Sequence, residues 1–153
     1  MCKILIVDDE PDIREMVRVT LSELGHEVQE AENGQAALDL LAADPDHPAC
    51  LLLVDLRMPV MDGWDLIAIL KEGRWRSIPI IVFSASIKRG SPRPVLPVKA
   101  CWPKPLPQEQ LEAIHEHCLC HGPTWRTKSG VRRMLLEPDE LGTVDASPLA
   151  DKK

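Results

Sequence analysis

The sequence has few aromatic side chains, no excess of basic residues and no long apolar run. Four tryptophans, one phenylalanine and no tyrosine among 153 residues mean that any core must be mainly aliphatic. The 18 lysines and arginines are outnumbered by 24 aspartates and glutamates, which argues against a nucleic-acid-binding surface because phosphate contacts need a basic patch. No stretch of about 18 apolar residues is present, so no membrane-spanning helix is expected.

The cysteine content and the start of the chain indicate a compartment. Five cysteines, an odd number without regular spacing, fit a reducing environment better than a disulfide framework. The apolar stretch near the start of the chain is too short for a signal peptide and soon becomes acidic. We therefore expect a cytoplasmic protein that binds neither membrane nor nucleic acid.

The length of 153 residues predicts one domain with a short additional segment. Periodic patterning extends to about residue 121 and then fades, so we expect the domain over residues 1–121 and a tail over residues 122–153. The tail is too short for a second domain. We interpret it as poorly ordered or as a docking extension.

Apolar runs with the character of strands alternate with segments that repeat apolar residues at helical spacing. The central run, residues 50–54, is almost continuously apolar and ends at Asp55, which is typical of a strand buried on both faces of a parallel sheet. Parallel neighbours need crossover connections, so the pattern predicts a doubly wound, five-stranded parallel α/β sheet. The predicted strands are 3–7, 26–31, 50–54, 78–83 and 98–102, and the predicted helices are 12–24, 35–43, 64–72 and 108–120.

The segment between the fourth and fifth strands should contain the fourth crossover helix. Pro92, Pro94 and Pro97 would interrupt that helix, at a cost of about 3 kcal/mol each in a helix interior. We therefore expect this fourth helix to be short, distorted or replaced by a loop.

Polar residues suited to phosphoryl chemistry follow four of the predicted strands. These residues are Asp8 and Asp9, Asp55, Ser84 and Lys104, and the carboxyl ends of parallel strands meet at one edge of the sheet. Clustered carboxylates repel one another unless a cation neutralises them, and Mg²⁺ favours such oxygen ligands. An ionised Asp55 beside Mg²⁺ could attack phosphorus to form an acyl phosphate. The Ser84 hydroxyl and the Lys104 ammonium are suited to bind the phosphoryl oxygens.

The order and spacing of these motifs resemble the receiver domain of response regulators in bacterial two-component signalling. The resemblance covers residues 1 to about 120 and implies the flavodoxin-like receiver fold, here as a single domain without a DNA-binding output domain. It rests on Asp8-Asp9, on Asp55 with Met58-Pro59 and Asp62-Gly63, on Ser84-Ala85 and on Lys104-Pro105.

The resemblance also implies how the acceptor and its metal are arranged. Asp55 would be the phosphoacceptor, supplied by a histidine kinase or a histidine phosphotransfer protein. Asp9, the Asp55 carboxylate and the backbone carbonyl of Arg57 would ligate Mg²⁺ directly. Asp8 would contribute through a bound water.

The resemblance assigns two further roles and shows one departure from the family pattern. Ser84 would be the switch hydroxyl, and Lys104, preceding a cis Pro105, would bind the phosphate. The family usually has an aromatic residue three positions before this lysine, whose ring turns inward with the switch hydroxyl. Cys101 occupies that position here, with Trp102 beside it.

Three functions compete on these observations. The leading hypothesis is a phosphorylatable switch that alters the binding of a downstream protein and is not a classical enzyme, although it could hydrolyse its own acyl phosphate. The alternative is a receiver-fold interaction module that acts independently of phosphorylation, as the missing aromatic residue and the proline-rich segment suggest. A phosphatase resembling haloacid dehalogenases would need a second aspartate two residues after the nucleophile, where this chain has Arg57.

The last predicted helix contains several potential metal ligands. His117 and His121 are four residues apart, a spacing that can chelate a metal on a helix. Cys118 instead continues the apolar face formed by Leu111 and Ile114, and unpaired cysteines are commonly buried. We interpret this segment as a core-facing helix rather than as a metal site.

Overall fold

The computed structural model describes residues 2–46, 48–87 and 98–121, except the side chains of residues 117 and 119–121. Five strands and four helices form within these ranges. They are β1 (Lys3–Val7), α1 (Pro11–Glu23), β2 (Glu27–Ala31), α2 (Gly34–Ala43), β3 (Leu51–Val54), α3 (Gly63–Glu72), β4 (Ile80–Ser84), β5 (Ala100–Pro103) and α4 (Gln108–His121). Three predictions fall outside the described residues: the distorted helix within 88–97, the tail over 122–153, and chelation by His117 and His121.

The five strands form one parallel sheet in the order β2-β1-β3-β4-β5, which confirms the predicted doubly wound fold. The reversal of strand order between β1 and β3 places their carboxyl ends side by side, where ligands bind in open α/β sheets. The largely polar β2 is an edge strand, as its composition suggests. The strand β4 begins two residues later than predicted, at Ile80, because Pro79 has no backbone N–H to donate to the sheet.

Both faces of the sheet are covered by helices. Along β3, Leu52 and Val54 pack in a cluster with the apolar faces of α2 and α3, whereas Leu51 and Leu53 pack in a second cluster with α1 and α4. All four side chains are at most 1% exposed, as expected for an interior strand of a parallel sheet. No helix among the described residues is long and apolar enough to cross a membrane.

The ends of α1 follow the sequence signals. Glu10 is the N-cap residue and Pro11 is the first helical residue, where its missing N–H costs no hydrogen bond. Gly25 follows the C-cap with a φ of 88°, a conformation that glycine adopts without strain and that is common directly after the end of a helix. Because α1 begins directly after the acids that follow β1, its N-terminus lies at the carboxyl edge of the sheet.

Candidate functional site

Asp55 lies at the end of β3 with 4% of its surface exposed. Its backbone N–H donates to the Val7 carbonyl at 2.9 Å, which extends the pairing of β3 with β1 to Asp55 itself. Its carboxylate is held by two donors. Oδ1 accepts from the Arg57 backbone N–H at 3.4 Å, and Oδ2 accepts from Lys104 Nζ at 3.1 Å. The side chain is therefore fixed by its neighbours, yet it remains at the rim of the sheet.

Four carboxylates converge at this edge. Ligand oxygens of Asp8, Asp9, Glu10 and Asp55 all lie within 4.8 Å of one another. Asp8 and Asp55 are buried, whereas Asp9 and Glu10 are exposed, so the cluster is anchored in the core and opens to solvent on one side. The fold thus brings together the three aspartates that the sequence placed after β1 and β3.

Lys104 is the counter-ion of this cluster. Its side chain is 8% exposed, and Nζ lies 2.6 Å from Asp8 Oδ2, 2.9 Å from Glu10 Oε1 and 3.1 Å from Asp55 Oδ2. Burial alone would lower the pKa of the ammonium, but its close contacts with the Asp8 and Glu10 carboxylates raise that pKa above its ordinary value. Lys104 is therefore fully charged at neutral pH. The peptide bond to Pro105 is cis, as the family resemblance implied.

Glu10 follows Asp8 and Asp9 in the acidic run after β1 and is the member of the cluster to which the sequence assigned no separate role. It is the N-cap residue of α1, but its side chain makes no capping hydrogen bond. The carboxylate instead pairs with Lys104 across 94 residues of sequence. A pair this distant in sequence depends on the tertiary fold. The position of Glu10 directly after Asp8 and Asp9 was nevertheless a signal that it could add negative charge to the carboxyl edge of the sheet.

Asp8 is the most strongly buried acid of the site, with no exposed surface. Burial raises the pKa of its carboxyl, and this effect outweighs the opposing influence of Lys104 and of the Glu10 backbone N–H. Oδ1 accepts from that N–H at 2.9 Å. Oδ2 contacts Lys104 as an ion pair, but no donor is aligned with it as a hydrogen bond. A buried oxygen in this condition is suited to accept a further cationic partner.

The donor set fits Mg²⁺. Four carboxylates and one ammonium leave an excess of negative charge, and all the donors are hard oxygen atoms. The exposed side of the cluster leaves room for the waters that Mg²⁺ usually retains. Asp9, which is expected to be a direct ligand, lies on that exposed side. Arg57, two residues after Asp55, is also exposed.

Ser84 ends β4 and is 1% exposed. Its Oγ accepts from the Ser86 backbone N–H at 3.3 Å, so the hydroxyl proton stays available for donation. Its carbonyl accepts from the Lys104 backbone N–H at 3.2 Å, and Ser84 pairs with Pro103 in the register of β4 and β5. Ser84 and Lys104 are therefore held together by backbone pairing at the ends of β4 and β5, and β4 lies next to β3, which carries Asp55.

A family model described as the response regulator receiver domain matches residues 4–114. The chain belongs to this family. Receiver domains are signalling switches of two-component systems rather than classical enzymes, so the phosphatase hypothesis is set aside. The assignment of individual site residues to the roles implied by the family stays a prediction.

Several relatives and solved structures resemble this receiver domain. Chemotaxis protein CheY1 of Helicobacter pylori is 40% identical over 84 residues, which are 54% of this chain and 66% of that protein. Transcriptional regulatory protein KdpE of Mycobacterium tuberculosis is 36% identical over 85 residues, 56% of this chain and 35% of that protein. These curated relatives are thus matched over about two thirds and one third of their own lengths. The structure of response regulator TrrA from Thermotoga maritima, in complex with Mg(2+)-BeF, has a TM-score of 0.65 at 28% identity and covers 76% of this chain and 97% of that one.

The loop after Asp55 in the receiver domain is built around Gly63. Its backbone N–H donates to the Leu56 carbonyl at 3.1 Å, so the start of α3 lies directly against the end of β3. A Cβ atom on Gly63 would overlap the Asp55 carbonyl oxygen and approach the Leu56 Cα to 2.8 Å. Asp62 caps α3 by accepting from the Asp65 N–H at 2.9 Å. The absence of a side chain on Gly63 therefore lets the start of α3 pack directly against the backbone of Asp55 and Leu56.

Cys101, at the family's aromatic position, and Trp102 beside it lie in different layers of the receiver domain. Cys101 packs in the cluster with α2 and α3 and has no exposed surface, whereas Trp102 is 3% exposed in the cluster with α1 and α4. This alternation follows from the pleat of β5. Trp102 therefore does not replace the missing aromatic ring on the face where Cys101 lies.

Proposed function

We propose that this chain is a phosphorylatable signalling switch in which Asp55 accepts a phosphoryl group from a phosphohistidine of a histidine kinase or a histidine phosphotransfer protein. One observation carries the proposal. Lys104 Nζ lies between the Asp55 carboxylate and the Asp8 and Glu10 carboxylates at the carboxyl edge of the sheet. An acceptor acid, a cation for phosphoryl oxygens and an oxygen-rich metal site are thereby combined within a few ångströms.

The transfer forms one bond and breaks one bond. A carboxylate oxygen of Asp55 attacks phosphorus, the P–N bond of the donor breaks, and the leaving imidazole takes up a proton. Asp8, Asp9, Asp55 and the Arg57 carbonyl would hold Mg²⁺, which when bound supplies positive charge against the phosphoryl oxygens. The Asp55 carboxylate is held by the Arg57 N–H and Lys104 before reaction, so little reorganisation is required.

The formation of the acyl phosphate would redistribute the contacts of Lys104. In the unmodified protein its ammonium pairs with Asp8, Glu10 and Asp55. A phosphoryl group on Asp55 offers oxygen atoms of higher charge, so Lys104 is expected to bind them and to loosen its contacts with the other acids. The Ser84 hydroxyl, with its proton available, can donate to the same group. These changes at the ends of β4 and β5 would alter the surface that a downstream protein binds.

The direct test is phosphorylation by a small donor. We expect a single phosphate adduct in the intact mass after incubation with acetyl phosphate and Mg²⁺, and no adduct with Asp55→Asn or after chelation of Mg²⁺. Asp62→Asn is the matched control, because asparagine also caps a helix and Asp62 lies outside the carboxylate cluster. An adduct that persists in Asp55→Asn, or its absence from the wild-type chain, would contradict the proposal.

A second function, a receiver-fold interaction module that acts independently of phosphorylation, is favoured by Cys101. This small side chain is buried in the core and cannot provide the ring that usually moves with the switch hydroxyl. Tryptophan fluorescence with Mg²⁺ and beryllofluoride separates the two functions, since Trp64, 42% exposed, is the second residue of α3. A response that is lost in Asp55→Asn supports the switch, and an adduct without any response supports the module.

A further inference from the structure

A second cluster of reactive side chains lies at the opposite edge of the sheet. Cys2 directly precedes β1, His26 directly precedes β2, and Cys118 is on α4. One potential ligand atom from each of the three residues lies within 4.8 Å of the other two, and the residues are 5%, 6% and 8% exposed. The amino ends of β1 and β2 mark the edge remote from Asp55, so this cluster is separate from the carboxylate site.

The hydrogen bonds of His26 fix its tautomer. The Cys2 backbone N–H, which can only donate, lies 3.3 Å from His26 Nδ1, so Nδ1 carries the lone pair. The proton of the neutral ring is then on Nε2, which donates to His115 Nδ1 at 2.9 Å. Burial, then the neighbouring His115, lowers the pKa of His26, which keeps the ring neutral. A metal ion at Nδ1 would have to replace the Cys2 N–H as the partner of that lone pair, while His115 holds the other ring N–H, as a second partner does in metal-binding histidines.

A third thiol lies next to the cluster. Cys50 directly precedes β3, and burial together with the neighbouring Cys50 thiol raises the pKa of Cys2. Burial also raises the pKa of Cys118, and Cys2 adds to that effect. Thiols with raised pKa values are poor nucleophiles for disulfide exchange, whereas a metal ion displaces the thiol proton directly. Cys50 is half-buried, whereas Cys2 and Cys118 are buried.

We propose that Cys2, His26 and Cys118 form a binding site for a borderline-soft divalent cation of the Zn²⁺ type, with the Cys50 thiol as the fourth ligand. Three thiolates and one imidazole are a common tetrahedral zinc set, with ligand sulfurs about 3.8 Å apart when the Zn–S bonds are about 2.3 Å. The ligand atoms of Cys2, His26 and Cys118 lie within 4.8 Å of one another, whereas the Cys50 thiol, which neighbours Cys2, would have to move closer to complete the set. Each coordinating thiol releases its proton to solvent on binding.

The proposed site would join distant parts of the chain. Its ligands come from the residues before β1, β2 and β3 and from α4, so a bound ion would hold α4 against the sheet. Ordinary core packing does not require three thiols and an imidazole to converge from four elements, because aliphatic and aromatic side chains fill the rest of this layer of the core. The site does not depend on phosphorylation of Asp55.

The test uses Co²⁺ as a spectroscopic substitute for Zn²⁺, with the untagged, reduced full-length chain and excess Mg²⁺ to occupy the carboxylate site. We expect one equivalent of Co²⁺ to give thiolate-to-metal charge-transfer absorption and the visible bands of a tetrahedral ion, both removed by one equivalent of Zn²⁺. Cys118→Ser and Cys2→Ser should each weaken binding by at least about 100-fold, since even loss of an outer-shell partner costs about 10–100-fold.

Two controls define the result. Cys101→Ala removes a buried thiol from the opposite layer and Asp55→Asn alters the carboxylate site, so both should retain the full cobalt spectrum. Circular dichroism establishes that each variant is folded. No charge-transfer band in the folded wild-type chain, or a band that survives both Cys2→Ser and Cys118→Ser, would overturn the proposal. The proposal would also be overturned if the chain binds no metal and its cluster cysteines form a disulfide in air.

Discussion

Replacing Lys104 by methionine should lower the free energy of unfolding by about 3–5 kcal/mol at neutral pH without Mg²⁺. The expected loss follows from burial. The side chains of Asp8 and Asp55 are 0% and 5% exposed, and both carboxylates pair with the Lys104 ammonium. Methionine fills a similar volume but has no charge, so two buried carboxylates would lose the cation that compensates their desolvation.

The same substitution should increase the affinity for Mg²⁺ by about tenfold, or about 1.4 kcal/mol. Lys104 Nζ contacts oxygens of Asp8, Glu10 and Asp55, three of the four carboxylates that would surround the metal. Mg²⁺ must therefore compete with the ammonium in the wild-type protein. Without that competition the metal becomes the main counter-ion, so Mg²⁺ should restore much of the stability lost in Lys104→Met.

The destabilisation should also depend on pH. Burial already raises the pKa of Asp8 above its unfolded value, and loss of Lys104 removes an influence that lowers it. Between the unfolded and folded pKa values the native state binds more protons than the unfolded chain, so stability falls as the pH rises through this interval. The difference between Lys104→Met and the wild type should therefore shrink when the pH is lowered below the folded pKa of Asp8.

Urea unfolding with EDTA and with Mg²⁺, at several pH values, measures these effects. Lys71→Met is the matched control, because Lys71 is also a partly buried lysine but donates to the carbonyls of Arg76 and Ile78 rather than to acids. The control should lose stability without any change in its response to Mg²⁺. Equal Mg²⁺ affinity in Lys104→Met and the wild type would show that the ammonium does not compete with the metal.

The parts of the site that could be predicted are those fixed by local pattern and sheet topology. Apolar runs followed by polar residues placed Asp8, Asp55, Ser84 and Lys104 at strand ends, and parallel pairing requires those ends to share one edge. The pairing of Glu10 with Lys104 could not be predicted, because the direction of an exposed side chain at a helix cap depends here on a partner 94 residues away.

The cluster at the opposite edge shows the same limit. The apolar face of α4 was predicted correctly, and Cys118 packs on it with Leu111 and Ile114. The approach of Cys118 to Cys2 and His26 could not be predicted, because it depends on how α4 crosses the sheet, which is a tertiary property. Sequence reasoning therefore placed candidate residues on their strands and helices, but it grouped them only where the carboxyl ends of strands brought them together.

Replacing Gly63 by alanine should destabilise the receiver domain by about 3 kcal/mol or more, because the new methyl group would overlap main-chain atoms. The atoms involved, the Asp55 carbonyl oxygen and the Leu56 Cα, belong to the backbone after β3 and cannot rotate away. The overlap can be removed only if α3 or Asp55 itself moves. We therefore expect a lower urea midpoint and, in the folded fraction, a slower rate of adduct formation with acetyl phosphate.

Gly34→Ala separates this steric effect from a general effect of glycine replacement. Gly34 is also the first residue of a helix, so alanine gives both sites the same gain in helix propensity. A Cβ on Gly34 would meet Met61, at 2.7 Å from Cγ and 2.9 Å from Sδ, atoms near the end of a flexible side chain that can move, together with the Met61 carbonyl at 3.0 Å. Gly34→Ala should therefore cost only about 1–2 kcal/mol, and less when Met61→Ala accompanies it. Equal losses at the two glycines would mean that α3 moves easily and that Gly63 does not fix the position of Asp55.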